Sequence, residues 1–311
     1  IGAGAGGAVG GKTAPGGKVH DSVEKPFLQE GVAHVFLTES ALFSQSAAEK
    51  ARVVETVFAA HPGVQKISFA ASPYCTLAGT GRTEVGLCID SGWSSSRCTP
   101  VFGSCIVGDG ENTVGAGGFQ VASAVATASK LGVIESERLL RSLVSSEELR
   151  LYPHESAAGS NQLNLPDGTS IELESLSPSI PALAFASPDV AKCACDAIDA
   201  CDPLARNIVR DLVKNIVLVG GNTVPAGVTD LFVARFSEHA PHHALKVEIT
   251  IPPAAERGSA AWRGATAVAS LLVNQADGWL DRQMVDELGA HAAVEAHARS
   301  NLWAPWGNRA S

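Results

Sequence analysis

The sequence predicts an α/β fold with sheets covered by helices on both faces, and three observations predict it. Apolar residues make up 45% of the 311 residues and charged residues 18%, enough apolar material for a substantial core and too little charge for a disordered chain. Short, continuously apolar runs recur, among them Val85 to Ile89 and Ile216 to Val219, the pattern of strands buried on both faces. Between such runs stand segments with helical spacing and recognisable start signals.

Taken in order, His34 to Leu37 is a short apolar strand. Ser46 with Glu49 makes a capping box, and Val53, Val54, Val57 and Phe58 form one helical face that stops at Pro62-Gly63. Lys66 to Ala71 and Val85 to Ile89 are buried strands, the second turning at Asp90-Ser91-Gly92. Gln162 to Leu165 and Ser170 to Leu173 flank Pro166-Asp167-Gly168 and predict a hairpin. Ser187-Pro188-Asp189 and Asp202-Pro203 each place a cap residue before a proline at the first helical position. Leu204, Ile208 and Leu212 give the second of these helices its stripe. Ile216 to Val219 is a strand ending at Gly220-Gly221, Gly227 to Phe236 a helix, and Val247 to Ile251 a strand closed by Pro252-Pro253. Ala260 to Val273 reads as a small-residue helix and Trp279 to Leu288 as a short helical segment.

Composition excludes several function classes. The net charge is −9 without a basic block, which argues against nucleic acid or an anionic membrane as main partner, because counterion release needs clustered Lys and Arg. No apolar run reaches the ~18 to 20 residues needed to span a bilayer. Seven cysteines form an odd set without zinc-like pairs, which favours buried thiols in a reducing compartment over a disulfide framework. Residues 1 to 30 read as a flexible lead rich in Gly and Ala. Gly6, Gly11, Lys12 and Thr13 match a phosphate-loop pattern, and Gly2, Gly4 and Gly7 a dinucleotide fingerprint. Neither has the preceding strand and following helix that would aim amides at phosphate, so both are read as chance matches. The only methionine is Met284, so residue 1 is expected to follow a processed or missing segment.

Two places have the form of a nucleotide site, the strand ends at Asp90-Ser91-Gly92 and at Gly220-Gly221. Glycine permits close backbone approach to phosphate, and a carboxylate at a strand end can hold a magnesium shell. Strands ending in glycine are also ordinary turns. The order of segments then resembles the actin family. HVFLTESALFSQSAAEKARVVETVF (34–58) is similar to the block that opens with its Leu-Thr-Glu signature, and GRTEVGLCIDSGWSSSRCTPVFGS (81–104) to its second phosphate loop with flanking strands. LPDGTSIEL, NIVLVGGNTVPAGVTDLF, VEITIPP and AAWRGATAVASL resemble successive later blocks in the same order, from about residue 31 to 289.

The resemblance implies an actin-like fold of two ribonuclease-H-like lobes with nucleotide between them. It implies the following division: residues 31–80 plus 261–311 are a remnant of the first lobe, 81–116 plus 187–260 the inner part of the second, and 117–186 its outer subdomain. The N-terminal part is expected to be incomplete, since the family's first phosphate loop and the small subdomain after it are absent from these residues. The resemblance also exposes departures. Where the family follows Asp-Ser-Gly with a second acid and a glycine stand Trp93 and Ser94. The family's water-positioning glutamine aligns with Ser72 and its histidine with Arg97; serine lacks the amide's paired donor and acceptor, and arginine cannot act as a base. The adenosine-facing positions fall near Val144 and Ser145, and the adenine-stacking ones at Pro225 and Gly258.

The expectation is a divergent actin-related protein without ATPase activity. It would serve as a structural subunit of a cytoskeletal, dynein-associated or ciliary assembly in the cytoplasm, with the nucleus as another setting. No catalytic residue, metal or cofactor is expected. The degenerate nucleotide-site positions are Ser72, Asp90, Ser91, Gly92, Trp93, Ser94, Arg97, Gly220, Gly221 and Gly258, and partners are protein subunits rather than nucleic acid. The alternative is a nucleotide-binding ATPase or switch taking ATP and magnesium, with Asp90, Gly92, Gly220 and Gly221 still holding phosphate. A small-molecule kinase or chaperone domain on the same fold is a third reading, which the LPDG and AAWRG blocks disfavour. Among other residues, Cys193, Cys195 and Cys201 read as helix cysteines rather than metal ligands, because residues two apart on a helix point roughly 200° apart. His239, His242 and His243 read as solvated loop histidines, Trp279 as core, and Trp303 and Trp306 as candidate partner contacts. Ser91 and Ser94 lack the spacing of a nucleophile elbow.

Overall fold

The computed structural model describes residues 33–39, 46–81, 85–103, 105–107, 112–114, 117–129, 132–137, 162–164, 170–172, 189–201, 206–224, 228–240, 247–275 and 278–300. Its strands are β1 (Ala33–Glu39), β2 (Val64–Ala71), β3 (Val85–Ser91), β4 (Ser96–Phe102), β5 (Cys105–Ile106), β6 (Asn112–Val114), β7 (Gln162–Asn164), β8 (Ser170–Glu172), β9 (Ile216–Val219), β10 (Ile249–Thr250) and β11 (Leu280–Asp281). The helices are α1 (Ala47–Ala60), α2 (Ser72–Gly79), α3 (Gly118–Ser129), α4 (Val190–Cys201), α5 (Arg206–Lys214), α6 (Val228–His239), α7 (Ala254–Arg257), α8 (Ala260–Leu272), α9 (Arg282–Leu288) and α10 (Ala290–Ser300). The fold is mixed α/β with two main sheets. One is ordered β1-β2-β11, and the other β10-β9-β3-β4-β5 with β6 also on β4. β7 and β8 form the predicted hairpin ladder.

Alternation along the strands builds the layers. In the first sheet Val35, Leu37, Ile67 and Phe69 meet Val54 and Phe58 of α1 and Ala293 and Val294 of α10. Phe36 and Ala70, on the opposite face, meet Cys75 of α2 and Ala265 and Val268 of α8. In the second sheet Leu87, Ile89 and Leu218 pack on Ile198, Leu212, Phe232 and Phe236 from α4, α5 and α6. Cys88, Val101, Val217 and Val219 turn the other way, onto Leu77 of α2 and Ala260 of α8. The pair α2 and α8 is thus a shared middle layer between the sheets. It fits because glycine lets the two backbones nearly touch: a Cβ at Gly79 would lie 2.9 Å from the Gly264 Cα.

Local chemistry sets the boundaries. Ser46 caps α1, accepting the Glu49 N–H at 3.2 Å. At the other end Arg282 donates from Nη2 to the carbonyls of Phe58 and His61 and from Nε to that of Val64, with its guanidinium 4.4 Å above the Phe58 ring. The Phe58 carbonyl is one of the last four of α1, which a helix leaves without an internal partner. Several sequence expectations need correction. β3 continues through Asp90 and Ser91, because both residues pair with β4, opposite Arg97 and Ser96. Asp189 is the cap of α4, its Oδ1 accepting from Ala191 and Lys192; Ser187 lies outside the described residues, as does Asp202-Pro203. Val247 to Ile251 contributes only Ile249–Thr250 to the sheet. Of the segment read as helical, Arg282–Leu288 is helix, whereas Leu280–Asp281 is a short strand paired with β2 and Trp279 a bend before it. Trp279 is core as expected, donating from Nε1 to the Leu272 carbonyl at 2.8 Å and packing on His34 and Phe36.

α10 carries a pH-sensitive group. Burial, followed by the nearby Lys50 charge, pushes His297 down to about 4 from 6.5. A base held below its unfolded value favours the neutral form, so its contribution to stability is complete above pH 6.5 and is lost as pH falls through about 4. The loss is bounded at about 3 kcal/mol. Denaturant titrations from pH 7 to 4 are expected to show a shallower decline for His297→Leu than for the unsubstituted protein. Equal slopes would reject the assignment. Glu39 and Asp90, both raised chiefly by burial, act in the opposite sense and favour the folded state as pH falls.

Candidate functional site

The site candidates gather where β3 and β9 end side by side. The two strands are parallel, with Asp90 paired to Val219, so their carboxyl ends deliver Asp90-Ser91-Gly92 and Gly220-Gly221 to one edge, where open α/β sheets bind ligands. Asp90 presents a solvent-accessible carboxylate, yet the surrounding chain desolvates it enough to raise its pKa, against the lowering effect of Arg97. Arg97 stands directly across the ladder, and its buried Nε has no hydrogen-bond partner. Both residues fall on the strand face that carries Cys88 and Thr99, the face toward α2. Ser72 begins α2 at the exit of β2.

The turn after β3 is tightly held. The Gly92 N–H closes on the Ser95 carbonyl at 3.0 Å. The first amides of α3, Gly118 and Phe119, donate to the carbonyls of Gly92 and Trp93, each at 2.9 Å. Asn222 Nδ2 donates to the Gly92 carbonyl at 2.7 Å and to Ser91 Oγ at 3.2 Å. Ser91 Oγ in turn shares a hydrogen bond with Ser96 Oγ at 2.7 Å. Glycine is required at the contact points. Gly220 has φ 96°, and a Cβ there would lie 2.2 Å from the Ser91 carbonyl oxygen and 2.7 Å from Asp90 Oδ1. A Cβ on Gly117 would lie 2.5 Å from the Trp93 carbonyl oxygen and 2.6 Å from the Ser94 carbonyl carbon.

Trp93 lies over this junction, against Gly118 and edge-on to Phe119 with ring centroids 6.0 Å apart. Both rings keep an outer face, 43% and 49% exposed. Behind Gly220, Arg257 ties neighbouring turns together: its carbonyl accepts the Gly220 N–H, its Nε donates to the Pro252 carbonyl, and its Nη1 to that of Thr223. Gly258 enters only as the residue after Arg257, and a Cβ at Gly258 or Gly221 would meet no atom within 4 Å. The structure therefore brings together Asp90, Ser91, Gly92, Trp93, Ser94 and Gly220, with Arg97 across the ladder. Ser72, Gly221 and Gly258 take no part in the hydrogen bonds of the turn. Val144, Ser145, Pro225, Trp303 and Trp306 lie outside the described residues.

Asn222, Gly117 and Gly118 were missed by the sequence reading. A polar side chain directly after Gly220-Gly221 and a Gly-Gly pair opening an Ala-rich helix were the available signals. A magnesium triphosphate, the ligand that the resemblance implies, calls for backbone amides directed at phosphate oxygens. Here the amides of Gly92, Gly118 and Phe119 are engaged by protein carbonyls, Trp93 and Ser94 follow Gly92, and Asp90 is the carboxylate of the turn. That donor set does not fit the group well.

Elsewhere, all seven cysteines are buried and outside any disulfide, and among the described residues no group of three or more His, Cys, Asp and Glu converges on a point. His239 is exposed as expected, but it ends α6 rather than lying in a loop, and its Nε2 contacts Asp189 Oδ2, behind the α4 cap. His242 and His243 lie outside the described residues. Among the described residues no helix is long and apolar enough to cross a membrane.

Comparisons with known proteins find a likeness to the actin family in the second half of the chain. The actin family model matches residues 144–298, a span that includes β9, the Gly220 turn and α8 but begins after the Asp90 turn. Actin-like protein 8 from Homo sapiens is 27% identical over 139 residues, which is 42% of this chain and 35% of that protein. The match thus spans about a third of the relative's length. Over residues 144–298, just under half of the chain, the protein is similar to the actin family.

Proposed function

We propose that this chain is a divergent actin-related protein whose two lobes, built on ribonuclease-H-like sheets, serve as a scaffold: a non-catalytic structural subunit of a larger cytoskeletal or motor-associated assembly. The observation that carries the reading is the turn at Asp90, where the chain's own carbonyls accept the N–H groups of Gly92, Gly118 and Phe119 that a phosphate would need. Hydrolysis would also need a group to orient and deprotonate water. The aligned positions offer Ser72, a hydroxyl at a helix start, and Arg97, an obligate cation. A surface that keeps Trp93, Phe119 and Trp262 exposed, the last at 71%, supports protein subunits as partners, since tryptophans are favoured interface anchors. The cytoplasm, the cytoskeleton or a cilium would be the setting.

One observation favours a second reading, a nucleotide-responsive switch. Asp90 remains accessible with Arg97 beside it, a carboxylate and a guanidinium able to meet a cation and a phosphate respectively. Titration calorimetry of the purified protein with magnesium–ATP separates the two. The scaffold reading expects no binding tighter than about 1 mM, equivalent to about −4 kcal/mol, and no phosphate release above a heat-inactivated control. Micromolar binding would defeat it. Co-purification in a defined complex tests the subunit role, and salt-induced homopolymers would count against it.

A further inference from the structure

We infer that Asn222 is a built-in clasp: its side-chain amide holds the β3–β4 turn to the β9 turn, so that this edge of the second sheet keeps its closed form without nucleotide or divalent cation. The inference concerns the same turn as the scaffold reading and asks what holds it shut.

The geometry is specific. Asn222 Nδ2 reaches two acceptors 130 or more residues away in the chain, the Gly92 carbonyl at 2.7 Å and Ser91 Oγ at 3.2 Å. The Gly92 carbonyl is also the acceptor for Gly118 N–H, so one oxygen joins three segments: the turn itself, the start of α3 and the residue following Gly220-Gly221. A Cβ on Gly118 would lie 3.0 Å from Asn222 Oδ1 and 2.9 Å from the Trp93 ring, so the Asn222 amide and the indole both pack against that glycine. Gly220 presses on the Ser91 carbonyl from the side of β9. The side chain is partly buried, which strengthens the bonds and makes an acceptor left alone costly.

Hydrogen–deuterium exchange on the full chain tests this, first in EDTA without nucleotide and then with magnesium–ATP. In the unsubstituted protein, amides of residues 92–95 and 117–121 are expected to be protected in EDTA and unchanged by magnesium–ATP. Asn222→Ala, and Asn222→Asp, which sets a carboxylate oxygen against the Gly92 carbonyl, should exchange about tenfold faster in those two segments, the equivalent of one hydrogen bond lost, while β1 and β2 are unchanged. If the alanine variant fails to melt cooperatively, Asn222→Ser, which keeps a donor on a shorter arm, is read in its place and should lie between. Unprotected turn amides that become protected only with magnesium–ATP would overturn the clasp, as would variants that exchange like the unsubstituted protein. Micromolar magnesium–ATP binding with protection already complete in EDTA would defeat the scaffold reading and leave the clasp standing.

Discussion

Gly264→Ala is expected to destabilise the protein by about 3 kcal/mol or more, the upper end for overpacking. The added Cβ would lie 1.6 Å from the Cys75 carbonyl oxygen, 2.5 Å from its carbon and 3.0 Å from the Gly79 nitrogen. All three are backbone atoms, so no rotamer change relieves the clash and α2 and α8 must move apart. Because that pair is the middle layer, separation loosens the contacts of Leu77 and Ala260 with one sheet and of Cys75, Ala265 and Val268 with the other. Intrinsic propensity acts in the opposite direction, since alanine in a helix is about 1 kcal/mol better than glycine. Urea unfolding therefore separates the two effects by sign. A stability equal to or above that of the unsubstituted protein would refute the close crossing. Gly258→Ala, where a Cβ meets nothing within 4 Å, should stay within about 0.5 kcal/mol, as for an ordinary surface change.

Lys50→Met is expected to cost about 3 to 5 kcal/mol at pH 7, as when one partner of a buried ion pair is removed. Lys50 Nζ lies 2.9 Å from Glu39 Oε1, and the two side chains are 10% and 2% exposed. Burial already raises the Glu39 carboxyl, and Lys50 is what lowers it. Without that ammonium the carboxylate is buried alone, and its pKa rises further. The deficit should therefore shrink as pH falls and Glu39 takes up a proton. Adding Glu39→Leu should recover most of the loss, because a well-packed apolar pair replaces a buried ionic one at little cost. Denaturant titrations of the single and double variants at pH 7 and pH 5 provide the check. A single variant within about 1 kcal/mol of the unsubstituted protein would place the pair in the class of surface bridges.

The legible parts of the fold were those in which local chemistry is sufficient. Ser46 caps α1 as its spacing with Glu49 predicts, and the runs read as strands at 66–71, 85–89 and 216–219 lie in strands because β-branched and aliphatic residues buried on both faces have few other solutions. The misread parts depend on distant partners. Leu280 and Asp281 were read as part of a helix, yet they form a short strand because they pair with the edge of β2. α10, missed altogether, is an Ala- and His-rich segment whose stripe of Ala290, Ala293 and Val294 acquires meaning only against α1. In the site, Asp90 and Gly220 were recognisable from strand-end chemistry, whereas Asn222 was not: its two acceptors come from another strand end.

What the sequence by itself determined is the alternation of strand and helix, the places where strands stop, and the likeness to the actin family. Only the tertiary structure decided that α2 and α8 form one layer shared by both sheets, and that the Asp90 turn is bonded to α3 and Asn222. The physical reason is range. Caps, turns and periodicity act over three or four residues, whereas a glycine's closest neighbour or an amide's acceptor is set by which backbones the packed layers bring within about 3 Å.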